Sequence, residues 1–474
     1  MRHRLMVGPG IAAVVALVAA CSSGRGAPPA TSAPPTSAAA SGATTTSTQA
    51  PGVTFGTLAS PCGHGTASGA TDQGVTDKAI TIGFGDDAGY VGDPGVTEMS
   101  DAVKAFIKWC NDQGGILGRP IEGEYEDAAA FNVVSKVQTL CKSAFMLVGE
   151  GWVLDEGAES VRVGCNLPAV PAYTAGVDIA NGPMMYQPAP NPDDYFTAVS
   201  LFEAAHLWPQ QVKAADALHT TISASEVSIN KVLQGGTAAG FTWLNCGVKV
   251  NFTGEPDYTP FAQRFKSCGA QLVFSNQPPG PLTENFLAAM DRLGYHPIIL
   301  GEADVYGPAL AQWNTAGLGD NIYVRQAFQP LENASVVPAV QQYLSIVHAS
   351  GGKVGQLGEQ AASAFLLWAT AAKSCGSTLT RQCMVNALSK VHTWDGGGIQ
   401  APSDPGANMP PSCGMLVKLT GTSWAQYYPK TQGQMDCNPS DIVHITGDGV
   451  GTTLNADRIS TKFLSPSVIT PNGT

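Results

Sequence analysis

The segment from Lys78 to Asp127 constrains this chain more than any other. Ala79 to Gly83 is a short apolar run that stops at glycine, the pattern of a buried strand opening into a loop. The loop, Phe84 to Pro94, carries three glycines and a proline. Beyond it Val96, Met99, Val103, Phe106 and Ile107 recur at helical spacing, so the strand feeds an amphipathic helix. Asn111 to Pro120 then holds Gly114 and Gly115, either of which can take the left-handed conformation that closes a helix. Ile121 to Asp127 begins a second strand. Strand, helix and strand in this order form a βαβ unit, which implies a parallel sheet with right-handed crossovers.

The alternation continues. Val133 to Phe145 reads as a helix, Met146 to Gly149 as a strand, Ala158 to Val163 as a helix and Leu167 to Pro171 as a short strand. Gln187 to Pro192 holds three prolines in six residues, which excludes a sheet interior and marks a crossing into a second body. There the pattern restarts. Helices are expected at Tyr195 to Leu207, Ile222 to Leu233, Thr259 to Ser267 and Leu282 to Leu293. Strands are expected at Val212 to Leu218, Gly247 to Phe252, Gln271 to Ser275 and Ile298 to Leu300. A chain of 474 residues exceeds what one hydrophobic core usually serves, so at least two α/β lobes are expected. With 44% hydrophobic and 13% charged residues the bulk of it is a folded body. From Gly447 on, the sequence is polar and rich in Gly and Thr, and reads as a poorly ordered tail.

Residues 1–20 read as a secretion signal: two arginines and a histidine, then the apolar run Ile11 to Ala20. Ten residues cannot span a bilayer, and no later run is long enough. The run ends Leu17-Val-Ala-Ala-Cys21, a bacterial lipobox pattern in which Cys21 becomes the lipidated N-terminus; an ordinary Ala-x-Ala cleavage site is the alternative. Residues 21–60, mostly Ala, Ser, Thr, Pro and Gly, cannot bury enough surface to fold and read as a tether. Net charge is −12, and loss of Arg2 and Arg4 with the signal makes it −14. An acidic surface argues against nucleic acid or anionic lipid as a partner.

With Cys21 set aside, ten of the 11 cysteines remain, an even number that suggests up to five disulfides in an exported protein. No C-x-x-C occurs, which counts against a thioredoxin-like or zinc role. Cys246 with Cys268, Cys375 with Cys383, and Cys413 with Cys437 are the natural local pairs. Cys62, Cys110, Cys141 and Cys165 admit more than one pairing, with Cys141 to Cys165 the first choice.

A strand, a loop, a helix ending NDQGGILGRPI and then EGEYEDAA resembles the opening of the leucine/isoleucine/valine-binding protein family, the type I periplasmic solute-binding proteins of ABC importers. Weaker similarity runs through Pro168 to Pro171 and Asp257 to Val273 up to Trp424, roughly residues 75 to 430 in all. The resemblance implies an α/β fold of two doubly wound parallel-sheet lobes joined by a multi-crossing hinge. It divides the chain into lobe 1 (61–188), lobe 2 (189–303), lobe 1 again (304–411), lobe 2 again (412–445) and a tail (446–474). The second crossing falls near Gly301 to Pro308, helices around Ala339 to His348 and Gly358 to Lys373 rebuild the first lobe, and Gly414 to Leu419 with Ser423 to Tyr428 form a hairpin on the second. It also implies a monomeric binding protein that presents a small molecule to ABC permease subunits, without catalysis or cofactor.

In an open parallel sheet, ligands sit beyond the carboxyl ends of the strands, and two facing lobes put the ligand between them. The candidate ligand residues are therefore Asp86, Asp87 and Tyr90; Glu150, Gly151 and Trp152; Tyr173 and Thr174; Thr220; Gln277; and Glu302, Asp304 and Tyr306. Carboxylates interleaved with aromatic faces suit an amine or cationic head group; for each acid the alternative is a helix cap or a solvated loop. The family usually anchors an amino-acid carboxylate with hydroxyls after the third strand. Here Gly149 to Val153 has none, which argues against a branched-chain amino acid.

Gly83-Phe-Gly85-Asp-Asp-Ala88 fits the dinucleotide pattern G-x-G-x-x-A, but Asp86 and Asp87 would set negative charge against a pyrophosphate. No G-x-S-x-G, H-E-x-x-H or G-x-x-x-x-G-K-[ST] is present, and the eight histidines show no metal-ligand spacing. An extracellular hydrolase is therefore disfavoured. A ligand sensor on the same fold, signalling to a membrane partner, is the alternative to transport.

Overall fold

The computed structural model describes residues 53–90, 95–447 and 450–472. The expected signal, Cys21 and most of the expected tether lie outside these residues.

The first lobe is built on a four-stranded parallel sheet in the order Ile121–Asp127, Ile80–Asp86, Met146–Val148, Ala169–Val170. Its strands alternate with the helices Glu98–Asp112, Val133–Leu140 and Glu159–Gly164. The opening strand runs three residues past Gly83, to Asp86, because Gly83 and Gly85 let it pack closely. A Cβ on Gly85 would lie 2.1 Å from the Glu126 carbonyl oxygen and 2.7 Å from the Trp152 ring. The two glycines thus belong to a strand interior, where they cannot cradle a pyrophosphate.

The second lobe carries a parallel sheet of Lys249–Val250, Ala215–Thr220, Leu272–Ser275, Ile298–Gly301 and Ile322–Gln326. It is extended by the antiparallel hairpin Cys413–Thr420 and Ser423–Tyr428. Tyr195 to Thr197, expected as the start of a helix, is instead a strand paired antiparallel with Ile442–His444, and the helix begins at Val199. The second crossing is also displaced. Gly301 to Pro308 stays in the second lobe, where the helix Pro308–Trp313 leads into Ile322–Gln326. That strand alternates buried Ile322, Val324 and Gln326 with half-buried Tyr323 and Arg325, so it is half-covered and polar enough to read as a loop. The chain recrosses only at residues 327–330, where Gln329 N–H donates to the Ile399 carbonyl and Ala401 N–H to the Ala327 carbonyl.

On its return the chain supplies the centre of the first lobe. In the helix Gln356–Cys375, alanines on several faces let neighbours approach closely, and Phe365, Leu366, Leu367 and Trp368 are fully buried. A helix apolar on all sides belongs in a core.

Both ends of the described chain depart from expectation. Residues 54–59 belong to the body and not to the tether: Thr54–Phe55 pairs with Leu58–Ala59, and Phe55 is fully buried against Phe106 and Trp109. The expected disordered tail is likewise an ordered strap across the first lobe from residue 450. Ile469 N–H donates to Asn166 Oδ1, Ser460 N–H to the Asn181 carbonyl, and Val468 is buried in the lobe-1 core. The strap has almost no regular secondary structure, so no periodicity announces it. Its stability comes from single hydrogen bonds and a few apolar contacts.

Because the preceding strand Ile442–His444 sits on the second lobe, this strap makes a fourth crossing. Arg458 fastens it to the hinge. Its Nε and Nη2 donate to the Asp194 carboxylate at 2.6 and 2.7 Å, its Nη1 donates to the Ala407 carbonyl at 2.6 Å, and the guanidinium lies 4.7 Å from the Tyr195 ring centroid. Hydrogen bonds to charged groups contribute about 1.5–3 kcal/mol each. With the net loss of one such bond, Arg458→Gln is therefore expected to lower the melting temperature by about 3–12 °C, at 2–4 °C per kcal/mol for lobes of this size. Backbone amides of residues 452–462 should then exchange faster with solvent. Unchanged exchange there would show that the strap is held without Arg458.

The ten cysteines of the body are joined as Cys62–Cys110, Cys141–Cys165, Cys246–Cys268, Cys375–Cys383 and Cys413–Cys437. The first bond, across 48 residues, ties the N-terminal hairpin segment to the helix Glu98–Asp112. It closes the longest loop of the five and so constrains the unfolded chain most in the chain-entropy account.

Candidate functional site

Carboxyl ends of strands from both lobes face a cavity of about 810 Å³. The lobes touch along its wall. Tyr90 of the first lobe stacks on Phe252 of the second, with ring centroids 5.2 Å apart, and its hydroxyl donates to the Phe252 carbonyl at 3.2 Å. Val153, Leu154 and Ile222 pack around the same pair. Ser223 Oγ donates across the cleft to Glu156 Oε2 at 3.2 Å.

Of the thirteen ligand residues expected from the sequence, nine line this cavity: Asp87, Tyr90, Tyr173, Thr174, Thr220, Gln277, Glu302, Asp304 and Tyr306. Four do not. Asp86, the last residue of its strand, is fully buried and accepts from the Tyr125 hydroxyl at 2.7 Å and from Ser100 N–H at 3.3 Å. It is a structural acid at the start of the helix Glu98–Asp112. Glu150, Gly151 and Trp152 sit beneath Tyr173, around a separate void of about 10 Å³ inside the first lobe. Gly149, with φ 75°, turns the chain back after its strand, and Gly151 must be glycine because a Cβ would lie 2.4 Å from the Tyr173 ring. Glu150 and Trp152 are therefore no part of the cleft wall.

Most charges within the cavity are matched by the protein. Arg325 Nη2 donates to Glu302 Oε2 at 2.8 Å and pairs with Oε1 at 2.7 Å, and its guanidinium lies 4.6 Å from the Phe196 ring centroid. Lys231, 2% exposed, donates to Asn191 O and Oδ1 at 3.1 Å and to Pro192 O at 3.0 Å. Burial pushes its ammonium down, and Asp193, 4.0 Å away, opposes that. Asp87 accepts from Val153 and Ala130 N–H, both at 2.8 Å; burial nevertheless pushes it up to about 6.

Two acids remain. Glu98 Oε2 and Asp304 Oδ1 are buried atoms with no hydrogen-bond partner. Burial first, and then the neighbouring Glu302, push Asp304 up to about 8. Burial raises Glu98 as well. Thr220 Oγ1, Gln277 Oε1 and both amide atoms of Gln326 are also unpartnered at the cavity wall. A buried polar atom without a partner is costly, and a ligand that supplies the partner recovers that cost. Arg325 Nε is a further buried atom without a partner, and Lys353 also lines the cavity, so the unmet groups are mostly acceptors with a cationic donor among them. The acceptors suit a ligand that donates hydrogen bonds.

The sequence did not point to Glu98, Lys231, Arg325 or Gln326. Arg325 and Gln326 would have followed from recognising Ile322–Gln326 as a strand, since they stand at its carboxyl end. Lys231 lies in the third turn of the helix Ser223–Ala238, where nothing local marks it.

The family model described as periplasmic binding protein matches residues 79–423. The chain belongs to that family. Solved structures of this periplasmic binding protein's fold agree with the assignment. The branched-chain amino acid transporter substrate binding protein LivJ from Streptococcus pneumoniae, in complex with isoleucine, is 16% identical, with a TM-score of 0.59 over 74% of this chain and 100% of that one. The leucine binding protein LivK from Thermotoga maritima is 14% identical, with a TM-score of 0.60 over 76% and 99%. The fatty acid ABC transporter substrate-binding protein from Thermomonospora curvata is 14% identical, with a TM-score of 0.61 over 78% and 95%. At these identities the likeness shows the fold alone. No curated protein matches the sequence. The family consists of extracytoplasmic substrate-binding proteins, and no described helix of this member is long and apolar enough to cross a membrane.

Proposed function

We propose that this periplasmic binding protein is lipid-anchored through Cys21, captures a small amine-bearing solute between its lobes and delivers it to the permease of an ABC importer. The observation that carries the reading is the inter-lobe cavity, with unpartnered Glu98 and Asp304 oxygens at its wall. Capture is hinge closure driven by the ligand's higher affinity for the closed state, with no covalent step. Anchoring rests on the lipobox ending at Cys21, and delivery on the transporter role named for the structural relatives.

A thermal-shift screen of amino acids, polyamines, betaines, amides, sugars and carboxylic acids tests the ligand. A ligand at about 100 times its dissociation constant adds roughly 2.7 kcal/mol, which raises the melting temperature by about 5–11 °C. Amine-bearing hits are expected; hits confined to sugars or carboxylic acids would overturn the reading. In cells, Cys21→Ser should move the protein from the membrane fraction to the soluble exported fraction. Persistence of the variant in membranes at high salt would refute the anchor.

A further inference from the structure

Outside the cleft, one side chain joins the two lobes. Of the segments that connect them, the first contributes Ala189, Pro190 and Asn191 to the cavity wall and the third contributes Pro410 and Pro411. A few residues away on the same two segments lie Asp194, Ala407 and Asn408, none of which lines the cavity. Arg458 bonds to all three.

The three are held by different lobes. Asp194 is fixed to the second: its carbonyl accepts from Ile445 N–H at 2.8 Å, and Tyr195–Thr197, directly after it, pairs with Ile442–His444. Ala407 and Asn408 rest on the first, where Asn408 Nδ2 donates to the Ala180 carbonyl at 3.0 Å. Besides its bonds to the Asp194 carboxylate and the Ala407 carbonyl, Arg458 donates from Nη2 to the Asn408 carbonyl at 3.2 Å. Burial pushes the Asp194 carboxyl up, but the guanidinium outweighs it and holds the group below its ordinary value, so the pair is charged. Asn181 of the first lobe completes the joint. Its Oδ1 accepts from Asp193 N–H at 2.7 Å, and its Nδ2 donates to the Arg458 carbonyl at 2.8 Å and to Asp194 Oδ1 at 3.3 Å.

We infer that Arg458 is a positioning residue for solute capture, a clamp on the hinge that sets how far the cleft opens. Domain closure bends a few residues of the connecting segments. Opening that carries Asp194 away with the second lobe must break the guanidinium's bonds to one side, because Ala407 and Asn408 stay with the first. The clamp therefore favours the arrangement in which Tyr90 meets Phe252. It acts before any solute arrives, so it goes beyond the solute-binding reading, and its test can fail without touching that reading.

The test is a distance measurement by energy transfer between fluorophores at Gln138 on the first lobe and Gln263 on the second, both exposed, in the full chain without added solute. The wild type is expected to give one narrow distance. Arg458→Gln should enlarge the population at longer distance by about tenfold or more, the shift that follows from losing one hydrogen bond between charged groups. Asp194→Asn, which keeps the shape and removes the charge, should do the same. Arg458→Lys should also open the cleft, since a lysine is a point charge without the planar fork that reaches both lobes. Lys462→Gln removes a bond from the strap to Asp178 on the first lobe and leaves the hinge alone, so the wild-type distance should persist. An unchanged distance in Arg458→Gln overturns the clamp, as does a wild type already spread over both distances. Opening in Lys462→Gln equal to that in Arg458→Gln would assign the effect to a loosened strap and overturn it too. Wild-type distances in Arg458→Lys would show that charge on Asp194 suffices and overturn the bridge between lobes.

Discussion

Raising the pH from 5 to 8 is expected to lower the melting temperature of this protein by at least about 10 °C. Three fully buried carboxyls carry the effect. Burial pushes Glu150 up to about 8, Asp155 up to about 7 and Glu203 up to about 9. In the unfolded chain such groups ionise near pH 4. Between pH 4 and their folded values, the native protein holds protons that the unfolded chain has released. Stability therefore falls as pH rises through that window. One group contributes about 1.36 kcal/mol per pH unit, or about 3–5 °C per unit for lobes of this size. A single such carboxyl acting over three pH units already accounts for about 10 °C, so with three groups that figure is the minimum drop expected. Asp194 and Glu226, whose pKa values lie below the ordinary carboxylate value, lose their contribution only in stronger acid and do not oppose it in this window. Burial lowers Lys231, which works in the opposite sense only above its own folded pKa. Scanning calorimetry at constant ionic strength checks the sign. Glu203→Gln should make the slope shallower, and a melting temperature that rises from pH 5 to 8 would contradict the burial of all three groups.

Arg162→Met should be the most damaging single substitution in the first lobe. Arg162 and Glu159 are 1% and 0% exposed and form a bidentate pair, Nε to Oε2 and Nη2 to Oε1, each at 2.7 Å. Arg162 also donates to the Leu167 carbonyl at 2.9 Å and the Pro183 carbonyl at 2.6 Å. It therefore ties the helix Glu159–Gly164 to the entry of the strand Ala169–Val170 and to the segment after it. Burial pushes Glu159 up even with this partner in place. Removing one member of a buried pair typically costs about 3–5 kcal/mol, because the other is left uncompensated. The expected loss is about 6–20 °C in melting temperature. Replacing both, Arg162→Met with Glu159→Leu, should recover much of it, since a buried pair is often no better than an apolar one of similar volume. A double variant as unstable as the single would assign the loss to the two orphaned carbonyls instead of the stranded acid.

The sequence exposed those parts of the molecule that physics makes local. A run such as Ile80–Asp86, buried on both faces and followed by an amphipathic helix, announces a parallel strand wherever it occurs. Cysteines in a short span, such as Cys375 and Cys383, have few other partners within reach. What escaped was decided at a distance. Ile322–Gln326 is polar on alternate positions because only one face is covered, and its neighbours lie more than twenty residues away on either side. Glu150 and Asp87 are both acids that follow strands. They differ because Gly149 folds one under Tyr173 while the other reaches the cleft. That is a matter of backbone angle, which residue type does not reveal. The residues 450–472 lack any repeating pattern because each contact is made singly.

The position of that last stretch has a consequence for the order in which the molecule can be assembled. Phe55 and Val468, over 400 positions apart in the chain, are members of one hydrophobic core. A polypeptide of an extracytoplasmic family that leaves the cell amino terminus first delivers Phe55 long before Val468. The first lobe therefore cannot be finished while the chain is still in transit: its own opening hairpin, the whole of the second lobe and the returning central helix must all be outside before its core is complete. Contacts so distant in sequence are slow to form. Until they do, the apolar wall that Val468 covers stays open to water and to other chains.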